Sequence, residues 1–308
     1  MAAASTPHPL LVVVGSTNLD IVVPVRHIPR PGETVVGDDH FRAAGGKGSN
    51  QAVACARLGG RTAFVGCLGD DDAGRTLRAS LEDAGVDTTN VEVIADTPSG
   101  IALIVVDDQG ENTVTVSPGA NGQLRPEQLP PALLERAAAV LIQLEIPLET
   151  AVRAAELAQG TVVLNPAPGR ALPDELLANV DVLVPNRSEL AILSGRDEEP
   201  VDIEEIGALA RALPGSARIV VTLGSDGAVV VADDGIVHVP AHRVTAVDAT
   251  GAGDTFCGAL SVALVEGEDL VTATRWAVAA AGLSVTIRGA QPSMPYRAAV
   301  ERLLAPGD

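Results

Sequence analysis

Leu10-Leu11-Val12-Val13-Val14-Gly15 is a short, mostly β-branched run stopped by a glycine, which reads as a buried strand. A rhythm spreads outward from it. Residues 49–58 have helix-forming composition (Gln51, Ala52, Ala54, Ala56, Leu58) and end at Gly59-Gly60. Residues 62–65 read as a strand, and 74–84 as a helix ended by Gly85. Further buried strands are predicted at 139–142, 162–164, 180–184 and 219–222, and helices at 148–158, 188–193, 203–213 and 254–265. This alternation predicts an α/β, Rossmann-like fold: a mostly parallel central sheet with helices on both faces. Right-handed crossovers then line up the loops that follow the strands along one rim, where ligands bind.

Two stretches, 19–41 and 99–117, are strand-like with no helix between their strands. In the first, Pro24 interrupts 21–25, which reads as an edge or exposed strand. In the second, 101–106 and 113–116 flank a polar turn, a hairpin signal. Together they predict a small antiparallel sheet inserted into a single domain spanning 1–308.

With 308 residues, 46% apolar and 20% charged, the chain has the composition of a globular protein with one large core and an appendage. Its 40 Asp+Glu against 21 Lys+Arg give a net charge of −19, which disfavours nucleic-acid binding. A small anion can still enter a locally positive pocket. Three widely spaced cysteines, Cys55, Cys67 and Cys257, point to neither a disulfide framework nor a zinc site. Residues 1–9 lack a basic leader and 10–14 are too few to cross a bilayer, so a cytoplasmic location without membrane attachment is expected.

Familiar nucleotide motifs fail. Gly46-Lys47 has Phe41 where a P-loop needs glycine and Gly48 where it needs Ser or Thr. Gly251-Ala252-Gly253 lacks the third glycine of the dinucleotide fingerprint. The strongest segment is Asp248-Ala249-Thr250-Gly251-Ala252-Gly253-Asp254-Thr255-Phe256. Its glycines allow close backbone approach, and a helix beginning there offers unpaired amides and about half a positive charge. Asp254 is either dipole-favoured decoration of the first turn or a proton acceptor for a hydroxyl attacking a bound phosphate. Asn18 and Asp20, two apart on a strand, share a face and suit a polyol; a turn after Gly15 would explain them equally. Gly45-Gly46-Lys47-Gly48-Ser49-Asn50 is either a plain start of a helix or a backbone edge for sugar hydroxyls. Asn186-Arg187-Ser188-Glu189 follows a strand and contains a cap candidate, Ser188. Leu223-Gly224-Ser225-Asp226-Gly227 is at least a tight turn.

From Gly15 to about Leu304 the chain resembles the ribokinase family of carbohydrate kinases, on both glycine-rich signatures and on Gly15–Asp20, Gln143-Leu144-Glu145-Ile146-Pro147, Asn186–Glu189 and Arg288-Gly289-Ala290-Gln291-Pro292-Ser293. The resemblance implies ATP-dependent phosphorylation of D-ribose at O5. It implies that Asn18, Asp20, Gly46, Lys47, Asn50 and Glu145 contact the sugar. Asp254 is then the base, and the amides of Gly251, Ala252, Gly253 and Asp254 the anion hole. Asn186, Thr222, Leu223, Gly224, Ser225, Asp226 and Gly227 line the nucleotide site, with Gly253. Glu189 positions Mg²⁺ through water. K⁺ is held by Asp248 and Ser293 side chains and by carbonyls of Thr250, Ser284, Ile287 and Gly289. The small sheet is a lid, with Ile101 as its apolar roof, and pairs two subunits. Thr17 and Val278 depart from the family pattern, the latter near the adenine-facing region. Kinases of deoxyribose, fructose or adenosine, and a non-catalytic sugar sensor, are the alternatives.

Overall fold

The computed structural model describes residues 8–215, 217–232 and 235–305. Its strands are β1 (Leu10–Val14), β2 (Asn18–Pro24), β3 (Phe41–Gly45), β4 (Arg61–Gly69), β5 (Asp87–Ile94), β6 (Gly100–Val106), β7 (Asn112–Ser117), β8 (Ala139–Ile142), β9 (Thr161–Leu164), β10 (Val182–Leu183), β11 (Arg218–Thr222), β12 (Ala228–Ala232) and β13 (Gly235–Val239). The helices are α1 (Lys47–Arg57), α2 (Asp72–Asp83), α3 (Pro131–Glu135), α4 (Leu148–Leu157), α5 (Asp174–Leu177), α6 (Arg187–Leu193), α7 (Ile203–Ala212), α8 (Ala252–Val265), α9 (Leu270–Ser284), α10 (Ala290–Ser293) and α11 (Arg297–Leu304).

Nine strands form one sheet in the order β13-β12-β11-β10-β9-β8-β1-β4-β5. The seven from β11 to β5 are parallel; β12 and β13 are antiparallel additions at one edge. The alternation along β1 shows why its run is apolar throughout. Leu11 and Val13 enter one core with α1, α8 and α9, while Val12 and Val14 enter the other with α4, α6 and α7. The carboxyl ends of β1, β8, β9, β10 and β11 therefore share one rim, and residues 15–18, 143–145, 165, 186 and 222–227 follow directly from it.

A second, four-stranded sheet has the order β3-β2-β6-β7. Its outer pairs are antiparallel, but the central pair β2–β6 is parallel. β2 is thus interior, not the edge strand that Pro24 implied. The proline occupies the strand's last position, where the ladder is ending. Strand β3 continues past Phe41 to Gly45, so part of the expected glycine turn is strand, and Lys47 already opens α1. β10 is only two residues long where five were expected. Val278 is buried in the core on α9. Among the described residues no helix is long and apolar enough to cross a membrane.

Candidate active site

The site begins where β1, β2 and α1 meet. Gly46 has φ 89°, and a Cβ there would lie 2.7 Å from the amide nitrogen of Asn18, so glycine alone lets the loop cross this strand. Ser49 N donates to the Ser16 carbonyl at 2.8 Å, and Ser49 Oγ to the Gly45 carbonyl. These bonds fix the first turn of α1 against residues 16–18. Asn50 and Gln51 consequently point into the interior, both buried.

They meet Asp254, the third residue of α8. Asn50 Nδ2 donates to Asp254 Oδ2 at 2.9 Å and Gln51 Nε2 to Oδ1 at 3.0 Å. Only 7% of Asp254 is exposed. Burial pushes its carboxyl above the ordinary range, opposed by Lys47 and by the Asn50 and Gln51 amides. Beside it, α8 starts from Gly251 in the left-handed conformation (φ 74°), with no side chain capping the helix. The Ala252 amide is taken by the Ala249 carbonyl at 3.2 Å, so it does not face outward as expected. The amides of Gly253 and Asp254 stand in the first turn, which has no intrahelical partner for them. A Cβ on Gly253 would meet nothing within 4 Å, so the approach to these amides is open.

On the side of the small sheet, Asn18 and Asp20 lie on β2, two residues apart, as anticipated. Asn18 Oδ1 accepts from Asn121 Nδ2 at 2.8 Å, and Asn121 also pairs with both backbone groups of Thr17. Glu145 Oε2 accepts from Ser16 Oγ at 2.5 Å and from the Lys47 amide at 3.1 Å. Asp20 is raised to about 7, by burial first and then by Glu145 and Asp254. Burial alone would lower Lys47, but Asp254, Glu145 and Glu189 outweigh it and raise the ammonium. Asn50 Oδ1 is buried with no partner among the described residues, an acceptor suited to a ligand hydroxyl.

On the other side, the ends of β10 and β11 bring Asn186 and Thr222 together as a parallel bridge. Asn186, not Ser188, caps α6. Its Oδ1 accepts from the Glu189 amide at 2.7 Å, and Glu189 Oε2 accepts from the Asn186 amide at 2.8 Å. Burial raises Glu189 despite that bond and Lys47. Leu223, Ser225 and Asp226 line an open cleft of about 860 Å³ with Arg187, His238 and Arg243. Asn186, Thr222, Gly224 and Gly227 do not line it. Arg187 pairs with Asp226 at 3.2 Å.

Of the residues implied for a monovalent cation, Thr250 and Gly289 bond to the Asp248 carboxylate. Its Oδ1 accepts from the Thr250 amide and hydroxyl at 2.9 and 2.6 Å, and its Oδ2 from the Gly289 amide at 2.8 Å. Burial opposes ionisation, but these bonds and Arg288 hold Asp248 below its usual value. The Ser284 carbonyl already accepts from Ile287, and Ser293 Oγ donates to the Ala290 carbonyl. An all-oxygen set with one carboxylate matches a hard, weakly charged cation. Gln51 and Gln143 lie in segments quoted from sequence but were given no role there, and Asn121 and Asn165 lie in none; only the fold brings the four to the site.

Comparisons with known proteins place this arrangement of strands, helices and polar side chains in a family. Residues 8–297 match the model of the pfkB family of carbohydrate kinases. A ribokinase of Bacillus subtilis is 41% identical, covering 95% of this chain and 98% of that protein. A deoxyribokinase of Salmonella typhi is 40% identical, covering 92% and 95%. The structure of an Arabidopsis thaliana ribokinase complexed with ribose and ATP is 34% identical, with a TM-score of 0.89 over 97% of this chain and all of that one. Family model, relatives and fold agree over nearly the whole length, and this chain belongs to the pfkB family of carbohydrate kinases.

Proposed function

We propose that the protein transfers the γ-phosphoryl group of ATP to O5 of D-ribose, with Asp254 as general base. The observation that carries this reading is the buried Asp254 carboxylate, held by Asn50 and Gln51 beside the open first turn of α8. The O5 hydroxyl gives its proton to Asp254 as its oxygen bonds to the γ-phosphorus. The bond from phosphorus to the β,γ-bridging oxygen breaks, and ADP leaves with that electron pair. The amides of Gly253 and Asp254, with the helix dipole, face the charge that spreads over the phosphoryl oxygens.

Asn18, Asp20, Asn50, Glu145 and Lys47, with the backbone of Gly46, hold the sugar. Asn186, residues 222–227 and the cleft beside Arg187 hold the nucleotide. Mg²⁺ would be held by the phosphates with Glu189 acting through water, since Glu189 Oε1 has no partner among the described residues. K⁺ would sit at Asp248, Ser293 and the carbonyls of Thr250, Ser284, Ile287 and Gly289. Both cations supply positive charge to a site whose only neighbouring ammonium is Lys47. The small sheet acts as the lid, from which Ile101 roofs the sugar, and the lid inserts into a single domain. It also pairs two copies: Phe41, Leu103, Val114 and Val116 on it are apolar and exposed. Three free, buried cysteines and the use of ATP fit the cytoplasm.

The deoxyribokinase relative keeps a second reading in view. An ADP-release assay with D-ribose, deoxyribose, fructose and adenosine, with and without K⁺, separates them. D-ribose should give the highest kcat/KM. A preference for deoxyribose would move the assignment to the second reading, and no ADP release with any sugar would leave a sensor.

A further inference from the structure

The two amides that grip Asp254 differ in what stands behind them. Asn50 comes from the sugar side and leaves one atom for a ligand. Gln51 is fully buried and belongs to a chain of amides that never reaches the sugar. Val184, at the end of the β10 segment, offers a backbone carbonyl, which can only accept. Asn165 must therefore turn Nδ2 toward it, at 3.0 Å. Asn165 Oδ1 then faces Gln51, which must answer with Nε2, at 3.1 Å. The second N–H of that same nitrogen goes to Asp254 Oδ1 at 3.0 Å. Gln51 Oε1 is left facing Gln143, whose Nε2 donates to it at 2.5 Å. Gln51 and Gln143 are completely buried and Asn165 is 9% exposed.

Every oxygen-or-nitrogen choice along this chain follows from the Val184 carbonyl. Gln51 can present only a donor to Asp254, because reversing its amide would set Oε1 against Asn165 Oδ1 and lose two bonds at once. A protonated Oδ1 would face an N–H that cannot turn away. The chain thus favours the ionised carboxylate over its protonated form. Buried polar groups of a purely structural cluster need only satisfy one another; this one ends on the reacting carboxylate and leaves Gln143 Oε1 without a partner.

We propose that Gln51 is a positioning residue for Asp254, and that Asn165 sets the sense of its amide from the Val184 carbonyl. The inference rests on the reading of Asp254 as base. Charged and titratable groups that also act on Asp254 or its surroundings are Lys47, Glu145, Asp20, Glu189 and Cys257. Variants at Gln51 and Asn165 leave all five in place.

The test is a double-mutant cycle in steady-state ADP release with D-ribose, on proteins whose melting temperature shows them folded. Gln51→Met should lower kcat by about 10²-fold with the ribose KM within about threefold. The acid limb of the kcat–pH profile should move up by about one pH unit. Asn165→Leu should move both in the same direction, with kcat lower by about tenfold, and the double variant should be no slower than Gln51→Met within about twofold. If Gln51→Met does not fold, Gln51→Leu carries the same measurement, and Asn165→Ala carries it with Gln51 intact. Folded variants with unchanged kcat and acid limb, or effects that multiply in the double variant, would overturn the inference. Asp254→Asn separates the two failures. If it stays active, the base is wrong; if it is inactive while Gln51→Met is not impaired, only the role of Gln51 is wrong.

Discussion

Asn50 Nδ2 and Asp254 Oδ2 are 2.9 Å apart across 204 residues of sequence, so the glycine-rich start of α1 and the start of α8 share one hydrogen bond. Asn50 also holds a buried oxygen without a partner. On the function proposed above, replacing it removes a donor to the base and an acceptor for the sugar together. Asn50→Ala should lower kcat/KM for ribose by about 10²-fold or more, with the ATP KM within about twofold. Initial rates at varied ribose and varied ATP measure both.

Asp20, raised to about 7 in the folded protein from 3.8 when exposed, gives a pH-dependent stability of defined sign. The folded state binds this proton more tightly than the unfolded chain. Between about pH 4 and 7 the native carboxyl therefore holds stability down as pH rises, by up to about 1.4 kcal/mol per unit, and the cost stays constant above that window. Asp20→Asn removes it. Without sugar, the gain in melting temperature of Asp20→Asn over the parent should be larger at pH 8 than at pH 5. Equal gains at both pH values would contradict the raised carboxyl.

Gly46 cannot take a side chain without moving the strand that carries Asn18. Gly46→Ala should cost about 1–3 kcal/mol of stability from the left-handed backbone alone. It should also raise the ribose KM several-fold by displacing Asn18. Thermal unfolding and ribose titration of the rate check the two effects separately.

Asn186 caps α6 and is assigned to the nucleotide, and two substitutions separate these roles. Asn186→Ala should lower stability by about 1 kcal/mol through loss of the cap. Asn186→Ser keeps a capping oxygen but removes the amide. It should restore most of the stability while the ATP KM stays raised. An ATP KM restored along with the stability would leave only the cap.

How much of this was legible in sequence follows from what each residue depends on. β1 and its successors could be read because a parallel strand buried on both faces must be apolar at every position, as Leu11 to Val14 are. α9 was missed because its Ala-rich surface is buried almost all round, which erases the 3.6-residue period. β2 was placed at an edge because Pro24 dominates its local chemistry, whereas its pairing with β6 depends on residues some eighty positions away. Within the site, Asp254, Asn50 and the glycines stood out because they sit in dense motifs. Asn121 and Asn165 did not, and Gln143, though inside a quoted segment, drew no role, since each acquires its partner only when separate strand ends are brought to the same rim.

The central claim is that Asp254 removes the proton from the attacking hydroxyl. Asp254→Asn preserves the size of the side chain and removes its basicity, and ADP release with D-ribose, ATP, Mg²⁺ and K⁺ measures the consequence. A fall in kcat of about 10³-fold or more, with ribose and ATP still bound, is the result predicted here. Turnover within about tenfold of the parent would contradict it.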